Sequence, residues 1–191
     1  GGAIMENTVF KRIEKKYLIS PAQYSCLMTL IGNRLIPDKW GKSTVLSIYF
    51  DTEENLIIRN SIDAKAYKEK LRLRSYGMAK ENTTVFLELK KKYKGVVYKR
   101  RQALTLKEAE DYIKTGVVPK DTQIMREIDY FLKFYNYPKP KILIACERNA
   151  FYIKDEPYLR LTFDENIRYK TEDISLKKEA VGKAIIPKGY R

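Results

Sequence analysis

The sequence has no histidine and only two cysteines among its 191 residues. Without histidine, the chain cannot carry a Ser-His-Asp triad, an imidazole general base or a zinc site with histidine ligands. Cys26 and Cys146 lie far apart in apolar stretches, which favours two buried thiols in a reducing cytoplasm over a disulfide. The chemistry that remains belongs to carboxylates, lysines, arginines, tyrosines and hard metal ions.

Long apolar runs, internal repeats and Gly- or Pro-rich linkers are missing as well. No stretch is long and apolar enough to cross a bilayer, and none resembles a secretion signal. Hydrophobic residues make up 44% of the chain, which is enough for a core. We therefore expect a single cytoplasmic domain over residues 5–191 without a membrane segment, and residues 1–4 (GGAI) resemble a cloning remnant.

Acidic residues are scarce relative to basic ones. The 24 Asp and Glu face 38 Lys and Arg, so the formal net charge is +14. A surplus of this size is typical of proteins with a polyanionic partner, here phosphates, nucleic acid or anionic lipid.

Alternation with a period of two predicts strands that have one apolar and one charged face. It is clearest in KAYKEKLRLRSY (65–76), TVLSIYFD (44–51), TVFLELKKK (84–92), VVYKRRQAL (96–104) and YLRLTFDEN (158–166), and FKRIEKKYLI (10–19) shares it. Helices are predicted after Ser20, after Asp51, after Thr105 with its capping-box Glu108, and from Thr122 to the segment before Pro138. Many strands and few helices indicate an α+β fold with a largely antiparallel sheet.

Basic residues dominate the charged strand faces. An ordinary solvated face would mix both signs, because like charges opposed across a sheet destabilise it. The basic positions are Arg12, Lys16, Lys68, Lys70, Arg72, Arg74, Lys90, Lys92, Lys99, Arg101 and Arg160, and the acidic ones are Glu14, Glu88 and Asp164. Such faces can converge if a multiply charged anion lies between them, so the pattern predicts a β tunnel for phosphates. The three carboxylates are candidate ligands for Mg²⁺ or Mn²⁺, or equally partners in ion pairs with lysines of neighbouring strands.

Seven segments, in order, resemble the catalytic domain of the vacuolar transporter chaperone (VTC) polyphosphate polymerases and their bacterial relatives, within the triphosphate tunnel metalloenzyme or CYTH-like superfamily. They are RIEKKYLI, SIYFDT, YKEKLRLRSY, FLELKKK, VYKRR, CERNAF and YLRLTFDENIRY, and the resemblance extends from about Val9 to Arg168. The resemblance implies an antiparallel β tunnel, a divalent metal ion, and transfer of the γ-phosphoryl group of ATP to a growing polyphosphate chain.

The resemblance, together with the chemistry and strand parity of each side chain, predicts roles for individual residues. The triphosphate would be held by Arg72, Arg74 and Arg148, while Lys16, Lys90 and Lys99 would neutralise charge that develops during transfer. Further contacts to substrate would come from Arg12, Lys70, Arg101 and Arg160, and metal ligands from Glu14, Glu88 and Asp164. Arg72, Arg74, Lys90 and Arg148 are expected to point into one enclosed cavity.

One feature departs from the family. Its tunnel closes with a last strand that carries Glu-x-Lys, whereas this sequence reaches IIPKGYR without that motif. We therefore expect reduced activity of the 191-residue chain, or a protein that binds polyphosphate without catalysis. A triphosphatase would use the same clamp with water as the acceptor. A nucleic-acid-binding module is disfavoured, because the carboxylates on the charged faces would repel a nucleic-acid backbone.

Overall fold

The computed structural model describes residues 9–12, 14–63, 66–94, 96–179 and 181–191, without the side chains of residues 9–12, Trp40 and Pro157. Strands and helices alternate irregularly along the chain, and a 3₁₀ turn (Gly32–Arg34) precedes the second strand. The elements are β1 (Val9–Arg12), α1 (Pro21–Ile31), β2 (Leu35–Asp51), α2 (Leu56–Asp63), β3 (Tyr67–Tyr76), β4 (Thr84–Tyr93), β5 (Val96–Thr105), α3 (Leu106–Thr115), α4 (Gln123–Phe134), β6 (Lys139–Ile153), β7 (Glu156–Lys170) and β8 (Lys183–Ala184).

All the described strands belong to one antiparallel sheet in the order β1-β5-β4-β3-β2-β6-β7-β8. Its architecture is the predicted α+β class built on an antiparallel sheet. The long β2 lies at the centre and pairs with β3 on one side and β6 on the other. The segment after β1 and the segment after β8 meet, because Ile19 and Arg191 exchange two backbone hydrogen bonds of 2.9 and 3.1 Å. The segments that follow the two sheet edges are therefore joined.

One face of the sheet forms the hydrophobic core with α2, α3 and α4. Alternate residues of the central strands supply it, because side chains two apart on a strand point the same way. Buried core residues from the strands are Leu46, Ile48, Phe50, Leu71, Leu73, Val85, Leu87, Leu89, Leu104 and Leu143, and the helices add Ile57, Tyr112, Met125, Ile128 and Phe131. The intervening polar residues consequently project from the opposite face.

Three helices begin directly after the predicted caps, and α2 begins at Leu56, five residues after Asp51. Ser20 and Thr105 each form a complete capping box, and α3 ends at Gly116, whose φ of 74° is a conformation that favours glycine. Asp51 accepts hydrogen bonds from the backbone N–H groups of Ile57 and Ile58 at the start of α2. These caps satisfy donors that the first helical turn leaves without an intrahelical partner.

Two expectations need correction. Strand β1 ends at Arg12 rather than continuing to Ile19, so Glu14 and Lys16 lie in an irregular segment and not on a strand face. Cys146 is buried as expected, but Cys26 is exposed, because α1 buries none of its residues completely. The predicted apolar stripe of α1 is only half-buried, and Cys26 lies outside it.

Candidate functional site

A row of four polar side chains crosses the face of the sheet opposite the core. The registers pair Tyr49 with Arg72, Arg72 with Glu88, and Glu88 with Arg101, on β2, β3, β4 and β5. The neighbouring row on one side contains Ser47 and Arg74, and that on the other side contains Lys70, Lys90 and Lys99. We call this surface the basic face.

Glu88 lies at the centre of the basic face and is 1% exposed. Its Oε2 accepts a hydrogen bond of 2.6 Å from Nε of Arg72, and its Oε1 accepts one of 2.7 Å from Nε of Arg101. Nζ of Lys99 lies 2.9 Å from Oε1, and Nε of Arg74 lies 3.9 Å from Oε2. Four cations therefore surround one carboxylate, which leaves three net positive charges when all are ionised.

The electrostatics of this cluster shift the pKa of several groups. Burial alone would raise the pKa of Glu88, but Arg72 and the other cations outweigh burial and hold that pKa far below its usual range. Burial lowers the pKa of Lys99 to about 8, because Arg101 adds to the cost of its charge and Glu88 compensates only in part. Glu88 is thus ionised at every physiological pH, whereas Lys99 titrates near the upper end of that range.

Arg74 is the guanidinium of this cluster with the fewest protein contacts. Only 8% of its side chain is exposed, and its Nε donates to Oγ of Ser47 over 3.1 Å. Its two terminal amino groups have no hydrogen-bond partner among the described residues. Burial and then the neighbouring charge of Arg72 lower the pKa of Arg74, so a bound anion there would relieve an unfavourable environment.

Arg148 extends the basic face onto β6. Its Nε and one terminal amino group donate to the two carboxylate oxygens of Asp164, on β7, over 2.6 Å each. This two-pronged contact fixes the plane of the guanidinium and raises its pKa against the effect of burial. The remaining amino group has no partner in the described part of the chain.

Lysines occupy the other end of the basic face. Lys90 donates to Glu14 over 2.7 Å, and Lys16 lies 3.8 Å from the same carboxylate with 79% of its side chain exposed. Burial lowers the pKa of Lys70, and the positive charges of Lys16 and Lys90 lower it further. Arginines therefore hold the centre of the face and lysines hold one end.

Two predicted substrate contacts are not part of this cluster as described. Arg160 lies on β7, four residues before Asp164. It pairs with Asp38 over 2.5 Å, and its guanidinium lies above the Tyr152 ring. Arg12 belongs to β1, but its side chain lies outside the described part of the structure.

The candidate metal ligands do not form a common site. Glu14 binds Lys90, Glu88 binds Arg72 and Arg101, and Asp164 binds Arg148. Within the described residues, no three carboxylate, cysteine or histidine side chains are grouped in a way that could hold a metal ion. The residues present therefore do not fit a three-carboxylate metal centre, and the metal site stays a prediction.

Sequence reasoning did not assign a role to three hydroxyl groups of this face. Oγ of Ser47 binds Arg74, the hydroxyl of Tyr49 accepts from Arg72 over 3.0 Å, and that of Tyr76 accepts from Arg101 over 3.3 Å. Alternation in TVLSIYFD did place Ser47 and Tyr49 on the polar face. Their partners depend on the pairing of β2 with β3, which one sequence does not reveal.

A cavity of about 490 Å³ lies between α2, the start of β3 and Tyr135, which follows α4. Its lining includes Ile57, Asn60, Glu69 and Tyr135, and also Lys68, one of the basic positions of the predicted tunnel. The hydroxyls of Tyr67 and Tyr135 both donate to Glu69 there, so its carboxylate is already satisfied. Separately, none of the described helices is long and apolar enough to span a membrane.

Comparisons with known proteins agree with this architecture. The family model described as "VTC domain" matches residues 11–189. Among solved structures, the chain is similar to a protein of Bacillus halodurans described as a "putative adenylate cyclase", with a TM-score of 0.50 and 13% identity over 87% of this chain and 74% of that one. At this identity the likeness shows the fold alone. A comparison with curated proteins finds no match.

Proposed function

Because the chain belongs to the VTC domain family, we propose that it is an enzyme of the triphosphate tunnel or CYTH-like type and transfers the γ-phosphoryl group of ATP to a growing polyphosphate chain on the basic face. Phosphoryl transfer needs little covalent help from the protein, since positioning and charge stabilisation supply most of the rate enhancement. The basic face offers both. No nucleophile with an adjacent base is needed for this reaction.

One observation carries the proposal: arginine amino groups that have no hydrogen-bond partner among the described residues surround a cluster of net positive charge. Arg74 retains two such groups, and Arg72 and Arg148 each retain one, within the described residues. A planar guanidinium can bind two phosphate oxygens at once, whereas lysine acts as a compact point charge. Arg72, Arg74 and Arg148 would hold the triphosphate.

The lysines would neutralise charge during transfer, with Lys99 nearest the centre and Lys16 and Lys90 at one end. Lys70 and Arg101 would add contacts along the face, and the proposal extends to Arg12 and Arg160 only if substrate reaches beyond the cluster. Mg²⁺ or Mn²⁺ is the expected cofactor from the family. Because the carboxylates are engaged in ion pairs, we assign no step of the reaction to a metal ion.

Incubation with ATP labelled at the γ position tests the proposal. With Mg²⁺ or Mn²⁺, a polymerase converts ATP to ADP and labelled long-chain polyphosphate, resolved by gel electrophoresis. Labelled orthophosphate without chains would indicate a triphosphatase instead. A matched Arg74→Met variant should lose whichever product the wild type forms.

A non-catalytic polyphosphate binder is the second candidate, and the ion pairs of Glu14, Glu88 and Asp164 favour it. A phosphoryl-transfer enzyme of the expected kind needs a carboxylate for its metal ion, and each of these carboxylates already has a cation within 2.7 Å. Tight binding of tripolyphosphate, with no turnover of ATP in the presence of Mg²⁺ or Mn²⁺, would establish this alternative.

A further inference from the structure

The surroundings of Glu88 argue against the metal-binding role expected for it. Both of its oxygens accept charge-assisted hydrogen bonds, from Arg72 on one side and from Arg101 and Lys99 on the other. A divalent cation placed there would also meet four positive groups at short range. Another role has to explain why a fully buried carboxylate occupies the centre of the basic face.

The arginines of this face share one geometric feature. Each is held at its Nε edge by an oxygen that projects from the sheet: Glu88 holds Arg72 and Arg101, Ser47 holds Arg74, and Asp164 holds Arg148. Bonding at Nε fixes the plane of a guanidinium and leaves terminal amino groups for a ligand. Glu88 is distinctive because it holds two arginines from opposite neighbouring strands.

We propose that Glu88 is a positioning residue of the phosphate site, which fixes Arg72 and Arg101 through their Nε groups so that the remaining amino groups are set before the anion arrives. The inference rests on the proposed phosphate-binding function. Ordering the arginines in the empty protein removes part of the entropic cost of binding. Glu88 also offsets part of the repulsion among the four cations while the site is empty.

Three roles for Glu88 give different results when Glu88→Gln is titrated with tripolyphosphate. If Glu88 is a positioning residue, the variant should bind tripolyphosphate more weakly in metal-free buffer, by roughly tenfold, which is the effect of about one charge-assisted hydrogen bond. If Glu88 is only a countercharge, the variant should bind more tightly, because it is more positive. If Glu88 is a metal ligand, the variant should bind more weakly only when Mn²⁺ is present.

Isothermal titration calorimetry with and without Mn²⁺ separates these outcomes. Glu127→Gln is the matched control, because Glu127 binds Nε of Arg100 over 3.0 Å outside the Glu88 cluster. The control should bind tripolyphosphate as the wild type does. Glu88→Asp keeps the charge but withdraws the carboxylate, so it should also bind more weakly. Either tighter binding by Glu88→Gln or a loss confined to Mn²⁺ would overturn the inference.

A second measurement needs no variant of Glu88 and no ligand. Nε–H signals of ¹⁵N-labelled wild-type protein should exchange with water more slowly for Arg72 and Arg101 than for the exposed Arg59, with assignments from Arg72→Lys and Arg101→Lys. Exchange as fast as that of Arg59 would refute the positioning role even if Glu88→Gln does not fold. Slow exchange together with no tripolyphosphate binding by the wild type would instead refute the phosphate site, and the positioning role with it.

Discussion

Replacing Arg74 by methionine should weaken phosphate binding without unfolding the protein. Methionine preserves the apolar stem of the side chain, so packing in this buried position is largely retained. The variant loses two terminal amino groups that have no partner among the described residues, and with them a bidentate contact to phosphate oxygens. Such a contact contributes about 1.5–3 kcal/mol, so tripolyphosphate should bind roughly 10- to 150-fold more weakly.

The stability of the empty variant should be unchanged or higher. The pKa of Arg74 is lowered by burial and by Arg72, which means that its charge is disfavoured in the folded protein. Removing that charge relieves repulsion and offsets the lost bond to Ser47, which in other surroundings would cost about 1 kcal/mol.

Calorimetric titration and thermal unfolding of the same preparations provide the test. Arg100→Met is the control, since Arg100 is on β5, two strands away in the same sheet, but pairs with Glu127 of α4. It should lose some stability and no affinity. If Arg74→Met lowers the melting temperature by many degrees while its folded fraction binds tripolyphosphate normally, Arg74 is a structural residue and the assignment fails.

Four further predictions address pH, salt and folding. The pKa of Lys99 is about 8 in the folded protein against an ordinary 10.5, so its charge destabilises the protein below pH 8. The free energy of unfolding should therefore rise between pH 8 and pH 10.5, and it should rise less in Lys99→Met. Near pH 8, tripolyphosphate binding should take up protons, measured by calorimetry in buffers of different ionisation enthalpy; no uptake would contradict a contact to Lys99. Binding should weaken steeply between 50 and 200 mM salt, roughly tenfold or more, and salt-independent binding would exclude the electrostatic site. Asp51→Ala should lower the free energy of unfolding by about 1–2 kcal/mol in urea, through loss of the cap of α2, with unchanged tripolyphosphate affinity.

The alternation of charged and apolar residues was sufficient to predict much of the sheet. Arg72 and Leu71 project from opposite faces as the period of two requires, and three helices begin directly after the predicted caps Ser20, Thr105 and Thr122. Strand β6 was harder to recognise, because the run KILIAC in its first half does not alternate and can equally be a buried helix segment. The basic character of one face was therefore predictable, but the strand that adds Arg148 to it became recognisable only by family resemblance.

Partners across the sheet could not be predicted in the same way. Glu88 is one of three acidic residues in the charged pattern, and its spacing is compatible with a metal ligand or an ion pair. Its position between Arg72 and Arg101 depends on two strand registers that are set by turns and by packing over the whole sheet. The irregular path of residues 14–20 likewise depends on contacts with distant residues such as Lys90 and Arg191.

The row from Tyr49 to Arg101 also restricts how the strands can align while the protein folds. A slip of one residue between β3 and β4 would turn Leu87 and Leu89 out of the core, so the apolar pattern alone prevents it. A slip of two residues keeps the leucines inside, and hydrophobic burial cannot distinguish it from the native alignment. In that case Arg72 would face Lys90 or Phe86 instead of Glu88. A slip of two residues between β4 and β5 would likewise place Arg101 opposite Lys90 or Phe86. One buried carboxylate thus makes the even-numbered misalignments unfavourable, and substitutions at Glu88 should slow or misdirect the pairing of β3, β4 and β5 as well as alter binding.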